Sequence, residues 1–247
     1  MVKEIVLCGI HTGQYSSDGK RLSNLIEDMS TVDQIKRIRL SSVEIVELDD
    51  GMMKVIKNNK KFVSHLHIPL QAGSDKILKS MNRRYDLKYF KEKVDQIRSL
   101  RKDIALSTDV IVGFPGETEE QFQNTLKVMT DLELDYSNTA AYSPREGTVA
   151  AKWIDLYIPD NVKEERLARL NEHNRECCLA SNQKYVGREM EVLIENFEVR
   201  KNGDKVITGR TRNNKIVHIK SDKDLSGEFV VAKITKARTW YLNGELV

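Results

Sequence analysis

The sequence predicts an α/β domain with a parallel sheet over residues 1–186, followed by a small β-barrel over residues 187–247. Three observations carry that expectation. Short apolar runs alternate with amphipathic stretches through the first two-thirds, the pattern of parallel strands joined by right-handed helical crossovers. After Gly187 the helical period disappears, leaving consecutive β-rich runs bounded by turn residues. Between the two regions lies one long polar helical stretch, Asn161–Val186, which ends where the rhythm changes.

The elements follow in order. Glu4–Gly9 (EIVLCG) reads as a buried strand ending in a glycine turn, and Leu22–Met29 carries apolar residues at helical spacing. Arg37–Ile45 is the next strand and Asp49–Asn59 the next helix. His65–Leu70 is a strand, followed by helices over Ser74–Met81 and Asp86–Leu100, with Ser74 placed to cap the first. Ile104–Phe114, Glu117–Leu132 and Asp135–Ser143 read as strand, acidic-started helix and strand. These strands form either an open doubly wound sheet or an incomplete (β/α) barrel, and spacing leaves both open. In the tail, REMEVLIENF, DKVITGRTR, NKIVHIK, FVVAKITKAR and TWYLNGELV are bounded by NG, NN and SG turns, which predicts a five-stranded barrel.

Composition sets the outer limits. With 247 residues, 40% hydrophobic and 31% charged, the chain has the make-up of a globular protein with a large core and a small second one. No run approaches the roughly 18 apolar residues of a membrane span. The N-terminal apolar stretch ends at His11, too early for a signal peptide, so a cytoplasmic location is expected. The net charge of +3 comes entirely from the region after Gly187, a weak footprint for a polyanion partner. Cys8, Cys177 and Cys178 form neither a disulfide framework nor a metal-ligand spacing. Adjacent cysteines on a helix point about 100° apart, which suits packing better than one shared metal.

The chemistry-bearing residues gather at strand ends. In STDVIVGFPGETEEQF a strand runs into Gly113 and Gly116, and a helix then opens at Glu117–Thr118. Glycines there let a ligand approach the backbone, and the helix start offers free amides; a plain βα turn is the rival reading. His65 and His67 share a strand face, either as ligands or as satisfied buried histidines. PLQAGS places Gln71 at a strand end, on the carboxyl edge where α/β proteins bind ligands. Ser41, Ser42 and Glu44 end another strand, and TGQY and AYSPREGT fall on the same edge. Arg145 pairs on the surface with Glu146 or Glu117 in the simplest reading.

In this order EIVLCGIHTGQY, RIRLSSVE, HLHIPLQAGSDKILKSMNRRY, STDVIVGFPGETEEQF and YSPREGT resemble the methylthiotransferase family of radical S-adenosylmethionine enzymes. The tail resembles that family's TRAM domain, a small barrel that holds tRNA. The resemblance implies a partial (β/α) barrel with S-adenosylmethionine across the carboxyl ends of its strands, chelating a [4Fe–4S] cluster. By motif position it implies Gly9 near the methionine moiety, Ser41 and Glu44 near the ribose and carboxylate, Gln71 in the pocket, and Asp109, Gly113 and Pro115 flanking the adenine. IHTG and RIRLSSVE look most like the branch acting on N6-threonylcarbamoyladenosine at position 37 of the anticodon stem-loop, whereas YSPREGT is shared with the isopentenyladenosine branch.

The family's Cys-x3-Cys-x2-Cys loop and its cysteine-bearing N-terminal domain are not in this sequence. Three thiolates on one loop are needed to hold the cluster with an iron left open for the cofactor. The expectation is a chain that starts at the second barrel strand, carries an open β-edge and is inactive alone, its missing part supplied by a longer protein or a complementing chain. For RNA, the expected phosphate contacts are Arg188, Lys205, Arg210, Arg212, Lys215, Lys233, Lys236 and Arg238, with Trp240 and Tyr241 as stacking candidates. A catalytically inert tRNA-binding fragment and a methylthiotransferase acting on a ribosomal-protein aspartate are the alternatives.

Overall fold

The computed structural model describes residues 2–247. The chain opens with strand β1 (Glu4–Leu7), a hairpin of β2 (Ser16–Ser17) and β3 (Lys20–Arg21), and helix α1 (Leu22–Ser30). The hairpin turns through Asp18 and Gly19 at φ 49° and 76°, the left-handed pair that an Asp-Gly turn supplies. β4 (Arg37–Leu40), α2 (Asp50–Asn58), β5 (His65–His67), α3 (Asp75–Ser80), α4 (Leu87–Leu100), β6 (Ala105–Val112), α5 (Glu119–Asp131), β7 (Tyr136–Ala141) and α6 (Asp160–Gln183) complete the first body.

β1 pairs in parallel with β4, and β5, β6 and β7 pair in parallel in that order. The two sheets are joined through residues 61–63: Ile38 N–H donates to Lys61 O at 2.8 Å, and Val63 N–H to Ile38 O at 3.1 Å. The result is an open arc of five parallel strands, the partial barrel. Strand β4 stops at Leu40, short of the expected Ile45, because Glu44 begins a 3-10 turn over Ile45–Glu47 whose Glu47 side chain accepts from the Glu44 N–H. Ser74 sits at the start of α3, but its hydroxyl makes no cap bond; Thr118 does cap α5, accepting from Gln121 N.

The arc has two unlike faces. Ile38, Leu40, Leu66, Leu106, Val110 and Val112 point outward into the core shared with the helices. The concave face carries Arg37, Arg39, His65, His67, Ser107 and Asp109 in alternation with them, as a two-residue period demands. A closed structural barrel would fill that face with branched apolar side chains. Here it is polar and hydrogen-bonded.

The second body is a closed barrel of β8 (Glu189–Val199), β9 (Lys205–Thr211), β10 (Ile216–Lys220), β11 (Phe229–Ala237) and β12 (Leu242–Leu246), in spatial order β10-β12-β11-β8-β9. Its own small core holds Val192, Ile194, Ile207, Val217, Ile234 and Leu242. Gly209 is required where β8 and β9 cross closely: a Cβ there would lie 2.2 Å from Leu193 O.

This barrel seats on the amino ends of the arc. Arg37, wholly buried, donates to Arg210 O at 2.9 Å and to Glu191 Oε1 at 2.8 Å, and its guanidinium lies 4.8 Å from the Phe229 ring centre. Lys215 reaches Asp135 at 2.7 Å and Ser181 Oγ at 2.8 Å. Arg212 donates to the carbonyls of Lys60 and Phe62. These contacts correct the expected phosphate role of Arg212 and Lys215: both cationic heads are consumed at the seam, where burial requires partners. Arg210 is half-buried and pairs with Glu195 at 3.3 Å. No helix among the described residues is long and apolar enough to cross a membrane.

Candidate functional site

The carboxyl edge of the arc carries three cavities in a row. The first, of about 240 Å³, is lined by Gly9, His11 and Tyr15. The second, of about 340 Å³, adds Glu44 and Arg83, which pair at 2.7 Å, and shares His11 with the first. The third and largest, about 590 Å³, is lined by Gln71, Phe114, Tyr142 and Arg145, and shares Asn82 and Arg83 with the second. Each sits where a strand hands over to its loop, because a parallel sheet places every such end on one edge.

Gln71 is the most constrained residue there. Its backbone is left-handed at φ 70°, unusual for a residue with a Cβ. The turn is held by its N–H donating to Asp109 O at 2.8 Å and its carbonyl accepting from Ile111 N at 2.9 Å. Its amide Oε1 is buried without a partner. A strained backbone and an orphan acceptor at the lip of a 590 Å³ cavity are what a ligand site shows before its ligand is added.

Asp109 lies one pleat below Ile111, a residue of that cavity, on the concave face. Its Oδ1 accepts from His67 Nε2 at 3.1 Å and from Asn138 Nδ2 at 3.0 Å. Burial raises its pKa, but the His67 and Asn138 hydrogen bonds outweigh it and hold the carboxyl below the ordinary aspartate value. His67 Nδ1 and His65 Nε2 both lie 2.9 Å from Ser107 Oγ. For two neutral imidazoles one proton placement satisfies the chain. Asp109 accepts only, so His67 carries its proton on Nε2; Ser107 donates to the bare His67 Nδ1 and accepts from His65 Nε2–H. His65 Nδ1 is then the unpartnered end, as observed. Burial drives the His65 pKa well down, with Arg39 adding to it. The two histidines are thus held in one polar chain, with the His65 Nδ1 acceptor alone left without a partner. Among the described residues no group of three or more His, Cys, Asp or Glu could hold a metal ion.

The motif around Gly113 takes a different part from the one expected. Gly113 is at φ 70°, and a Cβ there would meet Lys163 Cγ at 2.4 Å, so a lysine side chain and not a ligand covers it. Gly113 and Pro115 are buried in the turn, and Phe114 between them reaches the cavity. Glu117 locks the turn, accepting from Gly113 N at 2.7 Å and from Arg166 Nη1 at 2.9 Å. Burial pushes its pKa up against those bonds. Its partner is therefore Arg166 of α6, not Arg145, which lines the cavity.

Of the sequence candidates, Gly9, Glu44 and Gln71 lie along one rim, each on a different cavity. Ser41 is exposed at its strand end, with its N–H spent on Leu7 O at 2.9 Å, and neither it nor Asp109, Gly113 or Pro115 lines those cavities. Asn82, Arg83, Phe114 and Tyr142 were missed as site residues, although Asn82 and Arg83 stand inside the quoted MNRRY motif.

S-adenosylmethionine fits this edge: the large cavity is of ligand size, with two aromatic walls and the orphan Gln71 acceptor. A [4Fe–4S] cluster does not fit the thiols of this chain. Cys8 is exposed just past β1, while Cys177 and Cys178 are on α6, and burial pushes the Cys178 thiol up to about 12. A thiol so disfavoured as thiolate is a packing residue.

Comparison with known proteins agrees with the geometry. The profile of the radical SAM superfamily matches residues 2–129, and that of the TRAM domain residues 183–247. A curated relative named tRNA-2-methylthio-N(6)-dimethylallyladenosine synthase, from Acetivibrio thermocellus, is 40% identical over 248 residues, covering 99% of this chain and 51% of its own length. Its namesake in Geobacillus kaustophilus is 42% identical over 249 residues, covering 99% of this chain and 46% of its own. The chain thus spans about half the length of the curated relatives it matches. Among solved structures, Escherichia coli coproporphyrinogen III oxidase, a radical SAM enzyme, is 15% identical with a TM-score of 0.48, over 77% of this chain and 51% of that one. With the superfamily profile covering just over half of the sequence, and the TRAM profile following it, this chain belongs to the radical SAM superfamily.

Proposed function

We propose that this chain is the S-adenosylmethionine-pocket and tRNA-binding portion of a cytoplasmic tRNA methylthiotransferase, which adds a methylthio group at C2 of an N6-modified adenosine 37 in the anticodon stem-loop. The observation that carries the reading is a radical SAM match followed by a TRAM match, in a chain 40% identical over 99% of its length to a relative named for that reaction. The relatives' names favour the N6-dimethylallyl (isopentenyl) nucleoside over the N6-threonylcarbamoyl one expected from IHTG and RIRLSSVE.

When bound, S-adenosylmethionine supplies the methyl group and a cleavable sulfonium bond. The chain's own residues do the rest of what is proposed here. Gln71, Phe114 and Tyr142 enclose it at the large cavity, Glu44 and Arg83 and then Gly9 continue the rim, and Asp109 offers its unbonded Oδ2 on the concave face below. Arg188, Lys205, Lys233, Lys236 and Arg238 provide the phosphate contacts. The cluster's thiolates come from a segment or partner outside this sequence.

The test has two arms. After iron and sulfide reconstitution the 247-residue chain alone gives no cluster absorbance and no methylthiolation, and turnover by it would sink the division of labour. Its binding to the tRNA stem-loop weakens with salt at a log–log slope of roughly −4 for about five phosphates. A salt-independent interaction, or tight binding to a ribosomal protein in its place, rejects the tRNA reading.

A further inference from the structure

Between the two bodies lies a cavity of about 300 Å³, separate from the carboxyl-edge site. Tyr136, Cys178 and Asn182 wall it from the α/β side, and Lys215, Ile216 and Trp240 from the barrel side. Trp240 stands in the β11–β12 hairpin and is 54% exposed. That exposure comes with a pinned backbone. Arg238 N–H donates to Tyr241 O at 2.9 Å across the hairpin. Asn182, near the end of α6, donates Nδ2 to Arg238 O at 2.8 Å and to Thr239 O at 3.1 Å.

Those two bonds use both amide hydrogens and so fix which way the Asn182 side chain faces. Its Oδ1 is left a buried acceptor with no partner, in a residue only 4% exposed. An acceptor stranded in a cavity wall carries a desolvation cost that a ligand N–H would remove. The cavity is not built for an anion: Lys215 is neutralised by Asp135 at 2.7 Å, and Arg210, which also lines it, pairs with Glu195 at 3.3 Å. The free cations stand outside it. Arg188, Lys233, Lys236 and Arg238 are exposed, and none makes an ion pair among the described residues. A cavity of about 300 Å³ with the exposed Trp240 at its lip and one unpartnered acceptor in its lining, on a body that carries unpaired exposed cations, matches an unstacked RNA base whose own phosphates lie outside.

We propose that this seam cavity binds one unpaired base of the RNA substrate, stacked on Trp240 and donating an exocyclic amine to Asn182 Oδ1. This rests on the tRNA reading above and deepens it. The base held here is a different nucleotide from the one at the carboxyl edge. β7 runs from Tyr136 beside the seam to Ala141 beside the large cavity, five residue steps or roughly 17 Å. The two bodies thus read the RNA at two points.

The chain has two tryptophans, so a Trp153→Phe background leaves Trp240 as the sole tryptophan. In that background the stem-loop RNA and oligoadenylate quench the Trp240 emission, and oligoadenylate binds more tightly than oligouridylate. By gel shift, Trp240→Ala raises the RNA Kd about tenfold and Trp240→Phe restores part of the loss. RNA that shifts normally with Trp240 emission unchanged, or with a Trp240→Ala Kd within about twofold of the parent, overturns the seam site and leaves tRNA binding standing. Quenching by a peptide and not by RNA overturns it in favour of a protein partner. No RNA binding at all removes the tRNA reading and this proposal together.

Discussion

Replacing Arg37 with methionine tests whether the two bodies unfold as one. The guanidinium is wholly buried, donates to Arg210 O at 2.9 Å and Glu191 O at 3.1 Å, and pairs with Glu191 Oε1 at 2.8 Å. Methionine keeps the apolar stem against Phe229 but leaves two carbonyls and a carboxylate without their donor. Breaking a buried ion pair from one side costs about 3–5 kcal/mol. The Glu191 side chain is 48% exposed and recovers water, which places the loss near the bottom of that range, at about 3 kcal/mol. Single-tryptophan variants keeping Trp153 or Trp240 report each body separately during urea unfolding. In the parent the two transitions coincide; in Arg37→Met the Trp240 transition moves to lower urea, since a barrel of this size is marginal by itself. Coincident transitions with a loss below about 1 kcal/mol would refute the view that Arg37 couples them.

Two further outcomes follow from buried titratable groups. His65 has a folded pKa well below 6.5, so at mildly acidic pH the unfolded chain binds more protons than the folded one. Stability then falls as pH drops below about 6.5, with a slope of up to about 1.4 kcal/mol per pH unit until the folded pKa is reached. His65→Phe flattens that limb in urea titrations at several pH values, and an unchanged slope assigns it elsewhere. Glu117→Gln keeps an acceptor for Gly113 N but removes the carboxylate charge opposite Arg166, 5% exposed, which retains the Glu117 carbonyl at 3.1 Å and Glu119 at 3.4 Å. The expected loss is about 3 kcal/mol by denaturation, and a loss under about 1 kcal/mol means that Arg166 is satisfied without Glu117.

The contrast between sequence and structure is clearest at particular residues. The alternation of His65 and His67 was legible as a shared face, but their satisfaction by Ser107 depends on a neighbouring strand about forty residues later. The GFPGE turn was legible as a turn; that Lys163 and Arg166 of a distant helix cover and lock it was not. Lys215 and Arg212 look like every other basic residue of the tail, and only docking shows that their charges are spent on Asp135 and on backbone carbonyls.

By itself the sequence determined the strand and helix order, the parallel strands, the five-stranded tail and the strand-end motifs, because periodicity and turn residues act within a few positions of the chain. The tertiary structure decided which strand-end residues face a cavity, which basic residues are spent at the seam between the two bodies, and that the barrel seats on the amino ends of the arc. Those outcomes depend on burial and on partners far apart in sequence, and desolvation makes a buried charge take whichever partner the fold brings to it.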